Sequence, residues 1–337
     1  MRNFTLKALA VLLFAFTCLN SNAYDVAVDG LYYDLVSESD ATVAVTYATT
    51  KYNSYSGDIT VPASITVNNK TYTVSTIGTS AFRKCTSLTS ISLPSTIDSI
   101  ASKAFYNCTS LTSFTMPDSV TTLPSALFYG CTKLSSVTLH DGITASSSQV
   151  FYNCTALTSI TLPQYLTNIG TSMFYKCSSL ESVTLSNNLT CLSNQLFSSC
   201  SSLKSVTIPA SVDSVATQAF VYCYALAEVT SLNTTPPVAA SASFPDTTYS
   251  GTLYVPIGCA DTYKSATTWE NFSNIVELDE NVGIDAVIDN KDKIITSECY
   301  YTTNGVEIKN PIEGRRDIYI VVKKYEDGTM EVTKEVR

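Results

Sequence analysis

Residues 82–94 read FRKCTSLTSISLP, and 23 positions later residues 105–117 read FYNCTSLTSFTMP. The frame returns at Cys131, Cys154, Cys177, Cys200 and Cys223, so seven cysteines beginning with Cys85 and Cys108 stand 23 residues apart. A phenylalanine precedes each by three positions (Phe82, Phe105, Phe128, Phe151, Phe174, Phe197, Phe220), and a leucine follows each by three (Leu88, Leu111, Leu134, Leu157, Leu180, Leu203, Leu226). A period of roughly 20 to 29 residues with an L-x-x-L-x-L core marks stacked repeats of a solenoid. No such unit buries its apolar face alone, so neighbours must stack.

Within one unit two periodicities alternate. Ser90-Ile91-Ser92-Leu93 alternates polar and apolar, the pattern of a half-buried strand. The stretch TSAFRKC has apolar residues at three- and four-residue spacings, which predicts one short helical turn. Ahead of that turn stand Thr79, Ser102, Ser125, Ser148, Thr171, Asn194 and Thr217, all residue types suited to cap a helix N-terminus. The expected fold is an α/β solenoid, a leucine-rich repeat array of seven 23-residue units over residues 75–235. It has a parallel sheet on the concave face and short helical turns on the convex side. Parallel strands ~4.8 Å apart would turn every repeated position into a ladder.

The cysteine column reads best as buried small apolar groups with a weak S–H donor. Zinc needs several converging ligands, which a single file without histidine partners does not supply. Disulfides remain open, since stacked Cα atoms ~4.8 Å apart fall within the allowed range, although the side chains run parallel and seven is odd. Cys191, Cys259 and Cys299 lie outside the column.

The chain begins with Arg2 and Lys7, an apolar ALAVLLFAFT run and Ser21-Asn22-Ala23, the pattern of a secretory leader cleaved near Ala23. Lipidation on Cys18 is the rival reading, but AFTC lacks the small residue expected before the cysteine. No further apolar run approaches the ~18 residues of a membrane span. Loss of Arg2 and Lys7 takes the net charge from −9 to −11, which disfavours nucleic acid and anionic membranes as partners. Within residues 75–235 six acids balance six bases, so the excess negative charge lies in the flanks.

Catalytic constellations are thin. His140 is the single histidine and occupies a column that elsewhere holds proline, which predicts an exposed turn residue with no nucleophile or orienting acid in register. Asp98 and Asp213 share a column five repeats apart, too far for paired glycosidase carboxylates. Phosphate-cradling glycine loops are absent. These residues point away from an enzyme, and no cofactor or metal is implied.

Two rows offer themselves for binding. Ser113 and Thr115, Ser136 and Thr138, Ser159 and Thr161, Ser182 and Thr184, and Ser205 and Thr207 form two outward hydroxyl rows on the strands. Such residues also simply tolerate a solvated strand. Tyr106, Tyr129, Tyr152 and Tyr175 follow the buried phenylalanine in four consecutive repeats. Tyrosine gives large rigid area and a polar tip at low entropy cost, though such a row could equally shield the core edge.

The frame IGTSAFRKCTSLTSISLPSTIDSI resembles the BspA-type leucine-rich repeats of surface proteins from anaerobic bacteria and some protozoa. The resemblance covers residues 75–235; His140, Ser186 and Leu232 replace the proline that ends the strand. The ends are similar to those of the same family: residues 24–74 alternate as strands around Asn68-Asn69, an N-terminal β cap, and residues 236–280 resemble an atypical closing unit filled by Trp269 and Phe272. Residues 281–337 carry charged strands with hairpin signals at Asn304-Gly305 and Asp327-Gly328. They resemble the tails that direct cargo to the type IX secretion route, and read equally as an added small β domain. The resemblance implies an exported, non-enzymatic adhesion protein, secreted or at the cell surface, that recognises matrix proteins, other cells or glycans of a host or neighbour. The hydroxyl rows leave open a polysaccharide- or flat-surface-binding solenoid.

Overall fold

The computed structural model describes residues 23–278 and the strand segments of residues 295–336. The first part is a parallel-strand β-solenoid of about nine turns. One ladder of strands starts at Gly57–Thr60 beside Leu88–Ser92, continues through Ser113–Thr115 beside Ser136–Thr138 and Ser159–Thr161 beside Ser182–Thr184, and passes to Ser205–Ile208 and Glu228–Ser231. Thr252–Val255 and Asn274–Glu277 extend it. The register sets like positions side by side, Ser113 against Ser136 and Thr115 against Thr138. A second, shorter ladder lies on another face and includes Thr122–Leu123, Ala145–Ser146, Cys191–Leu192, Ser214–Val215 and Val238–Ala239.

The third face is built from turns. Ala81, Arg83 and Cys85 donate their N–H groups to Gly78, Ser80 and Phe82, the i→i−3 pattern of a tight helical turn. The intervening N–H groups of Ser80, Phe82 and Lys84 reach instead to Ser102, Ala104 and Tyr106 in the next repeat. Left-handed residues at Ser80 and Lys84 make this alternation, and the same two columns are left-handed at Lys103 and Asn107, Gln149 and Asn153, and Gln218 and Tyr222. The capping residues therefore serve differently from the expectation. In the column from Ser102 to Thr217 each main-chain carbonyl accepts an N–H from the preceding repeat, so no helix N-terminus remains to be capped.

The phenylalanine column is a continuous stack. Ring centroids from Phe82 to Phe220 lie 5.2 to 5.7 Å apart with interplanar angles of 16° or less. Both ends are closed by further aromatics. Tyr55 meets Phe82 at 4.7 Å and donates its hydroxyl to the Thr46 carbonyl. Phe244 stacks on Phe220 at 5.0 Å and meets Trp269 and Phe272 edge-on, while the Trp269 indole N–H donates to Pro237 at 2.7 Å. Burial of the indole is thus matched by a hydrogen bond.

The nine cysteines of residues 23–278 are free thiols, and the seven of the column are buried. From Cys108 to Cys223 each Sγ lies 2.9 to 3.2 Å from the carbonyl of the phenylalanine one repeat back, as Cys154 does from Phe128. That carbonyl also accepts the N–H of its own repeat's cysteine. The thiol thus fills a small apolar corner and donates between repeats. A hydroxyl at position 154 would find the same acceptor, so Cys154→Ser is expected to lie within about 1 kcal/mol of Cys154→Ala in urea denaturation, the net value of one hydrogen bond. A serine variant weaker by 3 kcal/mol would show that the shorter side chain does not reach Phe128. Mapped by peptide, a thiol reagent at neutral pH should mark half-exposed Cys191 and spare the seven.

At the N-terminal end, Val26–Val28, Leu31–Ser37 and Thr42–Thr46 form an antiparallel run that joins Lys70–Ile77, itself paired to Ser64–Val67. Ile77 then pairs with Ile100, which carries this sheet into the second ladder. In the tail, Glu307–Ile308, Ile295–Thr302, Ile318–Tyr325 and Met330–Val336 form an antiparallel sheet in that order. The leader residues 1–22, including Cys18, and the turns at Asn304-Gly305 and Asp327-Gly328 lie outside the described residues.

Candidate binding surfaces

Tyr106, Tyr129, Tyr152 and Tyr175 are half-buried and stacked face to face, with centroids 4.5, 4.3 and 4.7 Å apart and interplanar angles of 7°, 6° and 18°. The main chain fixes this spacing, because the N–H groups of Lys84, Asn107, Gly130 and Asn153 bond to the tyrosine carbonyls of the next repeat at 2.6 to 2.7 Å. Partial burial and the neighbouring ring raise the phenol pKa of Tyr106 and of Tyr129, which keeps both hydroxyls protonated as donors.

The column does not begin at Tyr106. Arg83 occupies the same position in the first repeat, its guanidinium 5.1 Å from the Tyr106 ring and 4.7 Å from that of Tyr52. Tyr52 comes from the loop before the repeats, where Asn53 donates its N–H to the Arg83 carbonyl. At the other end Lys176 places its ammonium 5.4 Å from the Tyr175 ring. Reading the column for tyrosine alone passes over Arg83, although the 23-residue step from Tyr106 leads straight to it. Tyr52 stands 31 residues earlier and carries no periodic signal.

The hydroxyl rows lie where the alternation puts them. Ser113, Thr115, Ser136, Thr138, Ser159 and Thr161 are exposed, and their side chains have no hydrogen-bond partner among the described residues. At the N-terminal end of the ladder the Asp58 carboxylate accepts from Ser90 at 2.6 Å and Thr89 at 2.7 Å, which holds its pKa below the ordinary value. The same face carries the Lys204–Glu181 ion pair at 2.9 Å.

His140 departs from the exposed turn residue expected. It is half-buried, its Nε2 donating to the Pro117 carbonyl at 3.0 Å and its Nδ1 accepting the Gly142 N–H at 3.1 Å. With both nitrogens engaged, the ring holds the turn that proline fixes in the neighbouring repeats. No group of three or more His, Cys, Asp or Glu side chains able to hold a metal occurs among the described residues. No helix among them is long and apolar enough to cross a membrane.

A family model for the BspA type leucine rich repeat region matches residues 61–155 and 144–248, with six copies. Among solved structures, a leucine-rich repeat protein from Bacteroides ovatus is similar at 25% identity and a TM-score of 0.55, over 76% of this chain and 77% of that one. A leucine-rich repeat protein from T. pallidum shares 25% identity over 66% of this chain and 91% of its own, at a TM-score of 0.45. A leucine rich cell surface protein from Faecalibacterium prausnitzii shares 19% identity over 75% of this chain and 94% of its own, at a TM-score of 0.26. None of the curated proteins matches the chain.

Proposed function

This chain belongs to the BspA-type leucine-rich repeat family, and from that premise we propose that it is an exported, non-enzymatic binding protein that engages a protein ligand through its tyrosine ladder. The supporting observation is the ladder itself: four half-buried rings held at 4.3 to 4.7 Å by main-chain bonds. Such a surface is already ordered before a ligand arrives, which lowers the entropy that binding must overcome. Export rests on the leader-like N-terminus, Arg2 and Lys7 followed by an apolar run and Ala23, with the C-terminal sheet of residues 295–336 as a sorting-type tail.

Screening the full chain against arrays of purified matrix proteins and glycans tests this reading. The Tyr129→Ala, Tyr152→Ala double variant is expected to weaken a protein hit by 2 kcal/mol or more, about thirtyfold and on the hot-spot scale, with little change in melting temperature. An unchanged dissociation constant would move the site off the ladder. A large fall in melting temperature would make the rings core shielding.

A second reading is favoured by the unpartnered hydroxyls of the strand face. Two straight rows of exposed donors suit a flat, ordered surface such as a polysaccharide. Thr138→Glu and Thr161→Glu would abolish that activity while sparing any ligand of the tyrosines. Equal loss of both would remove the distinction.

A further inference from the structure

Arg83 is held in an unusual way. The rings of Tyr52 and Tyr106 both lie against its guanidinium, 4.7 and 5.1 Å from Cζ, and Nε is buried with no hydrogen-bond partner. No carboxylate among the described residues pairs with it. What remains is the guanidinium edge, a rigid fork of N–H donors whose geometry matches a carboxylate bidentately. No side-chain hydrogen bond of Arg83 occurs among the described residues, so the outer Nη groups of the fork keep their donors for a ligand.

The surroundings carry one sign of charge. Lys84, next to Arg83 in the chain, Lys103, three residues before Tyr106, and Lys176 at the far end are exposed and form no ion pair among the described residues. The seven turn segments (78–87, 101–110, 124–133, 147–156, 170–179, 193–202 and 216–225) contain no aspartate or glutamate, in a chain whose net charge is −9. The stacked tyrosines agree with this sign. Their negative faces are spent on one another, which leaves the positive ring edges rather than the faces for a ligand. No open aromatic face is left along the run for the apolar side of a sugar ring. The tyrosine carbonyls are bonded between repeats, so an incoming strand has no free ladder to join there.

We infer that the tyrosine ladder seats an extended acidic segment of a protein partner, with one carboxylate held bidentately by Arg83 and others met by Lys84, Lys103 and Lys176. This rests on the protein-binding reading above and names the chemistry of its partner. The run from Tyr106 to Tyr175 is matched by about four residues of extended chain at ~3.4 Å each.

Fluorescence anisotropy of a labelled octaglutamate peptide against the full chain tests the inference, with an octaglutamine peptide as the neutral control. Octaglutamate should bind and octaglutamine should not, and Arg83→Gln should weaken octaglutamate at least tenfold. Arg83→Lys should recover only part of the loss, because the charge returns without the fork. A Lys84→Gln, Lys103→Gln pair, both exposed, should weaken it severalfold, and covers the case in which Arg83 variants melt early. Lys204→Gln, on the strand face, should leave it unchanged. Absence of octaglutamate binding, equal binding by Arg83→Gln and the Lys84→Gln, Lys103→Gln pair, or equal loss in Lys204→Gln would each overturn the inference. So would tighter binding by polygalacturonate, which would make the ligand an anionic glycan. An array protein that needs Tyr129 and Tyr152 but not Arg83 would sink this inference and leave the protein-binding reading standing.

Discussion

Raising the pH from 7 to 10 in the presence of a reductant is expected to unfold the repeat array, followed by far-UV circular dichroism and by fluorescence of the single tryptophan, buried Trp269. The cause is the cysteine column. Burial pushes the thiol of Cys85 up to about 11 and those of Cys177 and Cys223 up to about 12, and drives Cys108, Cys154 and Cys200 well above their ordinary value. In the unfolded chain a thiol titrates near 8.5. The folded value is the higher one, so folding favours the protonated form. Its contribution is fully present below pH ~8.5 and is lost as pH rises through 11 to 12. Each such thiol removes about 1.4 kcal/mol per pH unit above 8.5, or roughly 2 kcal/mol by pH 10. Six of them together reach the order of 10 kcal/mol, comparable with the whole stability of a typical domain. Burial also raises Tyr33 and Tyr263 to about 12, which acts in the same direction. Removing thiols should therefore protect: a Cys154→Ala, Cys177→Ala variant should unfold at a higher pH than the parent, even if it is weaker at pH 7. An alkaline midpoint that does not move would show that the column does not control the transition.

The same column shows how far the residues alone carry the fold. A 23-residue period sustained over seven units leaves only stacking as a way to bury Phe82, Cys85 and Leu88, and all three are fully buried. Trp269 and Phe272 were legible as end-filling groups of an atypical closing unit, and they meet edge-on the Phe244 ring that caps the phenylalanine stack, a ring that carries no Cys-frame signal. The turn face was less legible. Of its left-handed positions only Gly130 is a glycine; the others include Lys84, Asn107, Gln149, Ser199 and even Tyr222, so residue type gives little sign of them. Three- and four-residue apolar spacing suits both a helical turn and this alternating ladder, and the hydrogen bonds that separate the two run between repeats. The tyrosine row was visible as a column. Arg83 lies one 23-residue step before Tyr106 and was legible there, whereas Tyr52 depends on an irregular loop reaching the first rung, a tertiary event with no periodic trace. The S–H bonds to the phenylalanine carbonyls were hidden for a related reason, since their acceptor is main chain one repeat away.

Gly170→Ala is expected to cost about 3 kcal/mol or more, at the upper end of overpacking effects and equivalent to a fall in melting temperature of the order of 10 °C. The repeat pattern alone predicts the reverse, because the same column holds Ala101, Ser147, Ser193 and Ala216, and alanine would normally stiffen the unfolded chain to advantage. The backbone at this repeat differs from its neighbours. Strands of the second ladder form at Ala145–Ser146 and at Cys191–Leu192, but residues 168–169 between them are not in a strand. Here the chain comes so close to the preceding repeat that a Cβ on Gly170 would stand 2.2 Å from the Ser147 carbonyl carbon and 2.3 Å from both its oxygen and the Ser148 nitrogen. All three are main-chain atoms, so relief requires one repeat to move away from the next. At Gly142 the nearest atoms to a new Cβ belong to the His140 ring, which has more freedom to turn aside, so Gly142→Ala should cost less. Displacement at Gly170 would also reach the candidate binding surface, since this turn leads to Tyr175, whose ring is already the most tilted of the ladder at 18° to Tyr152. Loss of stability together with weaker binding by the tyrosine face is thus the expected result for Gly170→Ala. A variant that melts within a degree or two of the parent would mean that this close approach relaxes without cost, and that the column tolerates a side chain in every repeat.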